Sequence, residues 1–189
     1  MNVSVAFAQP CAAKLDVMQA KLFQASSEAA FTLAPQECVF YVESSEPFAN
    51  AEEEKTYSVK ELYTGSFRIT RAAFTDKDTW MDCGETTQLY DIDRRYPGFA
   101  GTVRYDLHIE DDASALLLEE AQDAFEVFCD GVSLGKRIAP PYLWALPEGA
   151  AHDICIEHAT TLVNAVVDDI SCRRQIPPTG FMGRVLILK

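Results

Sequence analysis

Residues 99–142, FAGTVRYDLHIEDDASALLLEEAQDAFEVFCDGVSLGKRIAPPY, contain the clearest strand pattern of this chain. Polar and apolar side chains alternate over residues 102–109, which is the period of a β-strand with one face in a core and the other in solvent. A later apolar run ends at Cys129, and Asp130-Gly131 then supplies the two positive-φ positions of a tight type I′ hairpin turn. The stretch therefore predicts antiparallel strands, one of which ends in a hairpin.

Strand-like runs separated by chain breakers continue on both sides of this stretch. Pro140-Pro141 cannot donate two successive backbone N–H groups, so the chain must turn or follow a sheet edge there. Residues 80–92 indicate a loop-rich crossing, and the breaker at 176–180 precedes a terminal strand. Residues 12–30 contain good helix formers without a sustained helical spacing and stay unassigned. Many short strands divided by turns predict an all-β sandwich or barrel.

Length and composition fit a folded domain rather than a disordered chain. The chain has 189 residues, of which 48% are hydrophobic and 24% are charged. This is enough for one well-buried core, or for one domain with part of a neighbour. An acidic, proline-containing stretch between the strand-like runs is the best candidate for a linker between two parts of the chain. The predicted divisions are an N-terminal segment at residues 1–45, a linker at 46–56 and a domain at 57–189.

The charge balance narrows the choice of partners. A net charge of −13 with scattered basic residues argues against nucleic acid, because a phosphate backbone is bound by clustered Lys and Arg. No segment approaches the length that spans a membrane, and the N-terminal apolar run lacks the charged region of a signal peptide. A neutral partner fits this chain better than nucleic acid or a membrane.

The six cysteines are widely spaced and form no C-x-x-C pair or Cys/His cluster at zinc-ligand spacing. Free thiols are therefore expected, and they favour a cytoplasmic protein. His152 and His158 would lie about 20 Å apart along an extended strand, too far for one metal ion, and are predicted as surface histidines. No cofactor is expected apart from a structural calcium ion, for which the weak ligands would be Asp111, Asp112 and Asp123.

Aromatic side chains indicate sugar binding, since rings of Trp and Tyr stack on the apolar faces of pyranoses while nearby polar groups bond the hydroxyls. The carbohydrate-binding residues predicted on this basis are Arg137, Tyr142, Trp144 and Trp80. A core position is the alternative for Trp144, which leucines flank, and a buried structural donor is the alternative for Arg137. No catalytic group is recognisable, because no carboxylate pair is singled out and the serines lack a nucleophile-elbow context.

Three segments together resemble a known family: FAGTVRY at 99–105, FEVFCDGVSLGKRIAPPY at 125–142 and ATTLVN at 159–164. They are similar to the galactose-binding-like jelly-roll module of large bacterial glycoside hydrolases, found in the β-galactosidase/β-glucuronidase group and in α-L-rhamnosidase-like enzymes. Asp130 replaces the Asn that is common in the hairpin of that family, and PTGFMG at 178–183 stands for its closing stretch. The resemblance covers about residues 57–189.

The resemblance implies an all-β, galactose-binding-like jelly roll with a non-catalytic, carbohydrate-associated role in a glycoside hydrolase. The implied partners are a carbohydrate or a neighbouring catalytic domain. No catalytic residue carries over, because the family's catalytic carboxylates lie in a separate domain. Residues 31–42 also resemble the last strands of a sandwich that often precedes this module, which implies part of a larger hydrolase. The alternatives are a structural or interaction domain without sugar affinity and, more remotely, a stand-alone glycosidase with a carboxylate pair.

Overall fold

A computed structural model describes residues 2–33, 38–57, 59–110, 112–149, 151–166 and 178–189. The chain divides into two compact units, residues 1–57 and residues 58–189, and both consist mainly of β-strands. No helix in the described ranges has the length and apolar character needed to cross a membrane.

The first unit contains two small sheets. Its strands are β1 (Asn2–Ala6), β2 (Cys11–Asp16), β3 (Lys21–Ala25), β4 (Glu28–Thr32), β5 (Phe40–Ser44) and β6 (Ala51–Glu52). β1 pairs with β4, and the other strands form a sheet in the order β5-β2-β3-β6. β6 pairs in parallel with β3, so the stretch 46–56, predicted as a linker, contains a short strand. Residues 12–30, which the sequence pattern leaves unassigned, form strands and turns.

The second unit contains two larger antiparallel sheets. Its strands are β7 (Lys60–Leu62), β8 (Phe67–Ala73), β9 (Asp76–Thr86), β10 (Gly101–Ile109), β11 (Ala115–Glu119), β12 (Ala124–Cys129), β13 (Val132–Arg137), β14 (Leu143–Ala145), β15 (His152–Ala159) and β16 (Arg184–Leu188). Two short helices are α1 (Ile92–Arg95) and α2 (Val163–Val166). The sheet orders are β13-β12-β15-β10-β8-β9 and β14-β11-β16-β7. The first part of the predicted loop-rich crossing at 80–92 therefore belongs to β9.

Both sheets of the second unit bury one face in a shared hydrophobic core. Tyr105 in β10 and Ile156 in β15 have no exposed surface, and Leu116 in β11 and Trp144 in β14 are equally buried on the other sheet. Burial of this apolar surface, worth about 25 cal/mol per Å², is the main stabilising contribution. The predicted all-β sandwich and the alternation predicted over residues 102–109 are both confirmed.

The predicted Asp130-Gly131 turn joins β12 to β13. Asp130 has a φ of 51° and Gly131 a φ of 80°, the positive values that a type I′ turn requires. The Asp130 amide donates to the Asp153 carbonyl at 2.8 Å, and Asp130 Oδ1 accepts from the Asp153 amide at 2.9 Å. The hairpin prediction is confirmed, and Asp130 is held against β15 at one end of the six-stranded sheet.

Candidate functional site

The outer face of the six-stranded sheet, opposite the hydrophobic core, carries the polar side chains that alternate with the buried ones. On β10 and β15 these residues form three cross-strand pairs: Arg104 with Glu157, Asp106 with Cys155, and His108 with Asp153. Side chains of directly paired residues project from the same face of a sheet. The outer face therefore presents a continuous row of hydrogen-bonding groups.

Arg104 connects this row to Trp80 on β9. Its Nε donates to Glu157 Oε1 at 2.6 Å, and its guanidinium carbon lies 3.6 Å from the centroid of the Trp80 ring. Such a cation–π contact contributes about 0.5–1 kcal/mol at an exposed site. One face of the partly exposed Trp80 indole is thus covered by a guanidinium that an ion pair holds in place.

A depression of about 460 Å³ is lined mainly by other residues of the outer face, and neither Arg104 nor Trp80 lines it. Its charged and thiol groups are Arg68, Glu85, Asp106, His108, Asp153 and Cys155. His108 Nδ1 lies 2.6 Å from Asp153 Oδ1, and Arg68 Nη2 lies 3.4 Å from Asp82 Oδ2. The depression therefore combines many hydrogen-bonding groups with an excess of carboxylates.

Cys155 is a poor nucleophile in this setting. Burial, followed by the neighbouring Asp106 carboxylate, raises the pKa of its thiol, because both disfavour the thiolate. Cysteine chemistry proceeds through the thiolate. The depression is consequently suited to binding through hydrogen bonds rather than to catalysis by cysteine.

Three of the four predicted carbohydrate-binding residues are buried in the second unit, and two of them, Tyr142 and Trp144, belong to its hydrophobic core. Trp144 is fully buried, and its Nε1 donates to a backbone carbonyl at 2.9 Å. Tyr142 is 3% exposed, and its hydroxyl donates to a backbone carbonyl at 2.8 Å. Arg137 is buried as well. In this structure the rings of Tyr142 and Trp144 therefore offer no exposed face, and Trp80 is the predicted residue that reaches the outer face.

The prediction that His152 and His158 are surface residues is wrong. They are 3% and 2% exposed, because the alternation along β15 places them on the inner face with Ile154 and Ile156. His158 stacks on Phe125 with ring centroids 4.5 Å apart and ring planes at 12°. The strand period, rather than the polarity of the imidazole, decides which way these side chains point.

Cys129, Asp130 and His152 converge at the hairpin end of the six-stranded sheet and form what we term the hairpin cluster. His152 Nδ1 lies 3.1 Å from Asp130 Oδ2 and 3.4 Å from Cys129 Sγ, and Cys129 Sγ lies 3.5 Å from Asp130 Oδ2. A search for metal ligands that lie close together in the sequence misses this cluster, because His152 belongs to a different strand from Cys129. The pairing of β12 with β15 is the signal that could have found it.

The surroundings of the hairpin cluster set its protonation. The backbone N–H of Asp153 and then the His152 side chain lower the pKa of Asp130. Burial, followed by the adjacent carboxylates of Asp130 and Asp153, raises the pKa of Cys129 to about 11. At neutral pH, Asp130 is therefore a carboxylate and Cys129 a thiol that can donate to it.

The hairpin cluster is the group of three His, Cys, Asp or Glu side chains that could hold one metal ion within the described ranges. Of the predicted calcium ligands, Asp111 lies outside the described residues. Asp112 is exposed, and Asp123 Oδ2 lies 3.7 Å from His158 Nε2. A calcium ion at these positions stays a prediction.

Five cysteines lie in the described ranges and are free thiols: Cys11, Cys38, Cys83, Cys129 and Cys155. The sixth, Cys172, lies outside the described residues. The prediction of free thiols is confirmed for these five.

No family model matches this chain, and no curated protein matches it either. Solved structures do match it in fold. A rhamnosidase from Novosphingobium sp. PP1Y is 13% identical and superposes with a TM-score of 0.57 over 97% of this chain and 21% of the rhamnosidase chain. This chain therefore spans about a fifth of the length of that enzyme.

Two further matches have lower scores. A GH2 β-galacturonidase from Eisenbergiella tayi is 13% identical, with a TM-score of 0.44 over 71% of this chain and 25% of that chain. A β-glucuronidase from Faecalibacterium prausnitzii is 11% identical, with a TM-score of 0.45 over 72% of this chain and 32% of that chain. The rhamnosidase match confirms, at the level of fold, the resemblance to a β-sandwich region of glycoside hydrolases.

Proposed function

We propose that this chain is a non-catalytic, carbohydrate-associated module of a glycoside hydrolase and that it binds a neutral sugar in the depression on the outer face. The observation that carries the proposal is the set of hydrogen-bonding side chains lining that depression. The fold similarity to one part of a rhamnosidase and the sequence resemblance to galactose-binding-like modules support it. Because fold alone does not determine function, the lining residues are the main support for sugar binding.

The depression suits a ligand with many hydroxyl groups. The Arg68 guanidinium offers several N–H donors, the carboxylates of Asp106 and Asp153 accept from hydroxyls, and the His108 ring can do either. These residues lie on or beside paired strands β8, β10 and β15, which hold their backbone in place. A preformed site loses less conformational entropy when it binds.

The charge of the depression favours a neutral sugar over a uronic acid. The depression is lined by three carboxylates, those of Glu85, Asp106 and Asp153, and by one guanidinium, that of Arg68. Arg68 is itself close to Asp82, so little of its positive charge is left for a ligand. The net charge of −13 also repels anions at longer range. A sugar carboxylate would therefore meet uncompensated negative charge.

A supporting role without sugar affinity is the second candidate. The burial of Arg137, Tyr142 and Trp144 favours it, because residues that could have stacked on a sugar are used for packing. In that role, the outer face would contact a neighbouring catalytic domain. A stand-alone glycosidase is the remote third candidate, and turnover of nitrophenyl glycosides by this chain would establish it.

Titration of the isotope-labelled chain with neutral monosaccharides and the matching uronic acids, followed by amide chemical shifts, tests the proposal. We expect a neutral sugar to shift the amides of Asp106, His108 and Asp153 with a millimolar Kd, equivalent to about −4 kcal/mol. The matching uronic acid should bind more weakly, because its carboxylate is repelled.

Two variants that each remove one negative charge serve as the test and its matched control. Asp106→Asn alters an acceptor in the depression and should weaken binding roughly tenfold, about 1.4 kcal/mol. Asp76→Asn changes an exposed carboxylate at the other end of β9 from Glu85 and should leave the Kd unchanged. If no neutral sugar shifts the amides of the depression, sugar binding is rejected and the supporting role is favoured.

A further inference from the structure

The hairpin cluster brings a sulfur, a nitrogen and a carboxylate oxygen together at one end of the six-stranded sheet. We propose that Cys129, Asp130 and His152 bind a zinc ion, with a water molecule in the fourth coordination position. None of the three residues lines the depression assigned to sugar binding. The zinc site therefore shares no side chain with the proposed sugar site, although it adjoins that site through Gly131 and Asp153.

The distances between the three donor atoms match those of a tetrahedral zinc site. Zinc binds a thiolate sulfur at about 2.3 Å and imidazole nitrogen or carboxylate oxygen at about 2.0–2.2 Å. At a tetrahedral angle, these lengths place nitrogen and oxygen roughly 3.4 Å apart and sulfur roughly 3.6 Å from either. The observed separations are 3.1 Å between nitrogen and oxygen, 3.4 Å between nitrogen and sulfur, and 3.5 Å between sulfur and oxygen. Shifts of a few tenths of an ångström would complete the geometry.

The chemistry of the donors selects zinc over the common hard cations. Calcium and magnesium take oxygen ligands, whereas sulfur and imidazole nitrogen suit zinc. Cysteine, histidine and aspartate are all zinc ligands in proteins, and three protein ligands with one water is a known arrangement. Coordination converts the Cys129 thiol to a thiolate, and the proton is released to solvent.

The backbone holds the ligands in position without an ion. Cys129 ends β12, Asp130 lies in the turn that follows, and His152 begins β15, which pairs with β12. Because Asp130 Oδ1 accepts from the Asp153 amide, Oδ2 is directed toward the imidazole. Gly149 packs so closely that a Cβ there would lie 2.9 Å from His152 Cε1. The ring therefore has little freedom to turn away.

The position of the His152 ring suits a metal ligand. The side chain is 3% exposed, and Nδ1 is the ring nitrogen that contacts both Asp130 and Cys129. The other ring nitrogen, Nε2, has no hydrogen-bond partner among the described residues and takes no part in the site. The Asp130 side chain is 53% exposed, which gives an ion a route from solvent.

Cobalt substitution reports the ligands directly. The full chain is stripped with a chelator and titrated with Co²⁺ and then with Zn²⁺. We expect one Co²⁺ per chain, with the intense visible bands of a tetrahedral site and a sulfur-to-cobalt charge-transfer band in the near ultraviolet. Zn²⁺ should abolish both signals, and excess Ca²⁺ should not.

Three variants test the assignment of the ligands. Cys129→Ser should abolish the charge-transfer band and weaken Zn²⁺ binding by at least roughly 100-fold, since even residues beyond the direct ligands contribute roughly 10- to 100-fold. Asp130→Asn keeps a residue favoured in the type I′ turn and should weaken binding at least roughly tenfold. Cys83→Ser changes a free thiol on β9 and should leave both signals unchanged.

A wild-type chain without the charge-transfer band, or with a Zn²⁺ affinity that neither Cys129→Ser nor Asp130→Asn reduces, would overturn the proposal. If Cys129→Ser does not fold, Asp130→Asn decides the outcome, because its hairpin is preserved. Sugar titrations of the metal-free chain then distinguish this proposal from the proposed function, since either can fail while the other holds.

Discussion

Strand β15 shows, within eight residues, how differently the two faces of the six-stranded sheet are used. Its inner residues are His152, Ile154, Ile156 and His158, and all four are buried. Its outer residues include Asp153, Cys155 and Glu157, each of which lies beside a polar residue of β10. The inner face supplies stability by excluding water, whereas the outer face carries polar groups that pair with one another at the surface.

On β15, the inner-face positions hold polar side chains only near the two ends of the strand. His152 and His158 lie at opposite ends of β15, and each is approached by an aspartate next to β12. Asp123 precedes β12 with a φ of 70°, and Asp130 follows it with a φ of 51°. A turn residue at either end of β12 therefore brings a carboxylate to an imidazole that is buried on the inner face. Only the Asp130 end also has a cysteine, which is why the zinc proposal concerns that end.

Trp144→Ala should have the largest effect among the changes that separate the two faces. The ring is fully buried, and truncation of a buried aromatic residue costs about 3–5 kcal/mol. Urea unfolding followed by the fluorescence of Trp80 measures the loss. Trp144→Phe is the matched control and should cost much less, with sugar binding unchanged. A loss below about 1 kcal/mol for Trp144→Ala would contradict its place in the core.

Tyr105→Phe should have the next largest effect, because it leaves the shape of the inner face almost unchanged but removes one acceptor. The Tyr105 hydroxyl oxygen accepts from the Phe181 amide at 2.7 Å in a fully buried position. An unsatisfied buried N–H costs about 1–3 kcal/mol. Hydrogen exchange of the Phe181 amide should become faster in the variant. Unchanged protection of that amide would show that the bond contributes nothing.

The strands that form the inner face could be predicted from the sequence wherever a single pattern specifies the local structure. Alternation over residues 102–109 is sufficient to identify β10, because a period of two has no competing explanation there. Asp130-Gly131 is sufficient to identify the hairpin, because few other residues adopt two successive positive φ values.

The outer face and the hairpin cluster could not be predicted in the same way. β9 has a polar sequence with little alternation, as suits an edge strand exposed along most of its length. The sequence pattern therefore places Trp80 near a loop rather than in a strand. A histidine is compatible with either face, and only the register of β15 buries His152 and His158. The hairpin cluster depends on the pairing of β12 with β15, a long-range contact that local patterns do not specify.

Glu119→Gln tests whether charged side chains at the surface make stability depend on pH. It should reduce stability less than Trp144→Ala or Tyr105→Phe. Glu119 pairs with Lys60 and lies 2.8 Å from Arg184. The hydrogen bond from Lys60 is the main cause of a pKa below the ordinary value of 4.5. A carboxyl whose pKa is lower in the folded state than in the unfolded state stabilises the fold at pH values above its unfolded-state pKa. That contribution is lost as the pH falls through the folded-state pKa. At pH 7, we expect the free energy of unfolding of the wild-type protein to be about 0.5–1 kcal/mol higher than that of the variant.

Acid unfolding of both proteins provides the measurement for Glu119. The difference in the free energy of unfolding should shrink as the pH falls below about 4. Glu61→Gln, an exposed partner of Lys189, is a control for the loss of one surface charge. A difference that stays constant down to low pH would contradict the role of the Glu119 carboxylate.

Arg104→Gln should change stability little and is the sharpest test of the outer face. The variant loses the Glu157 ion pair and the contact over Trp80, each of which is worth at most about 1 kcal/mol in a partly exposed position. Acrylamide quenching should increase, because the indole face that the guanidinium covers becomes accessible, whereas Trp144 stays buried. A loss above about 2 kcal/mol would mean that the outer face contributes to folding as the inner face does. The outer face could then no longer be treated as a surface that is free to bind a ligand.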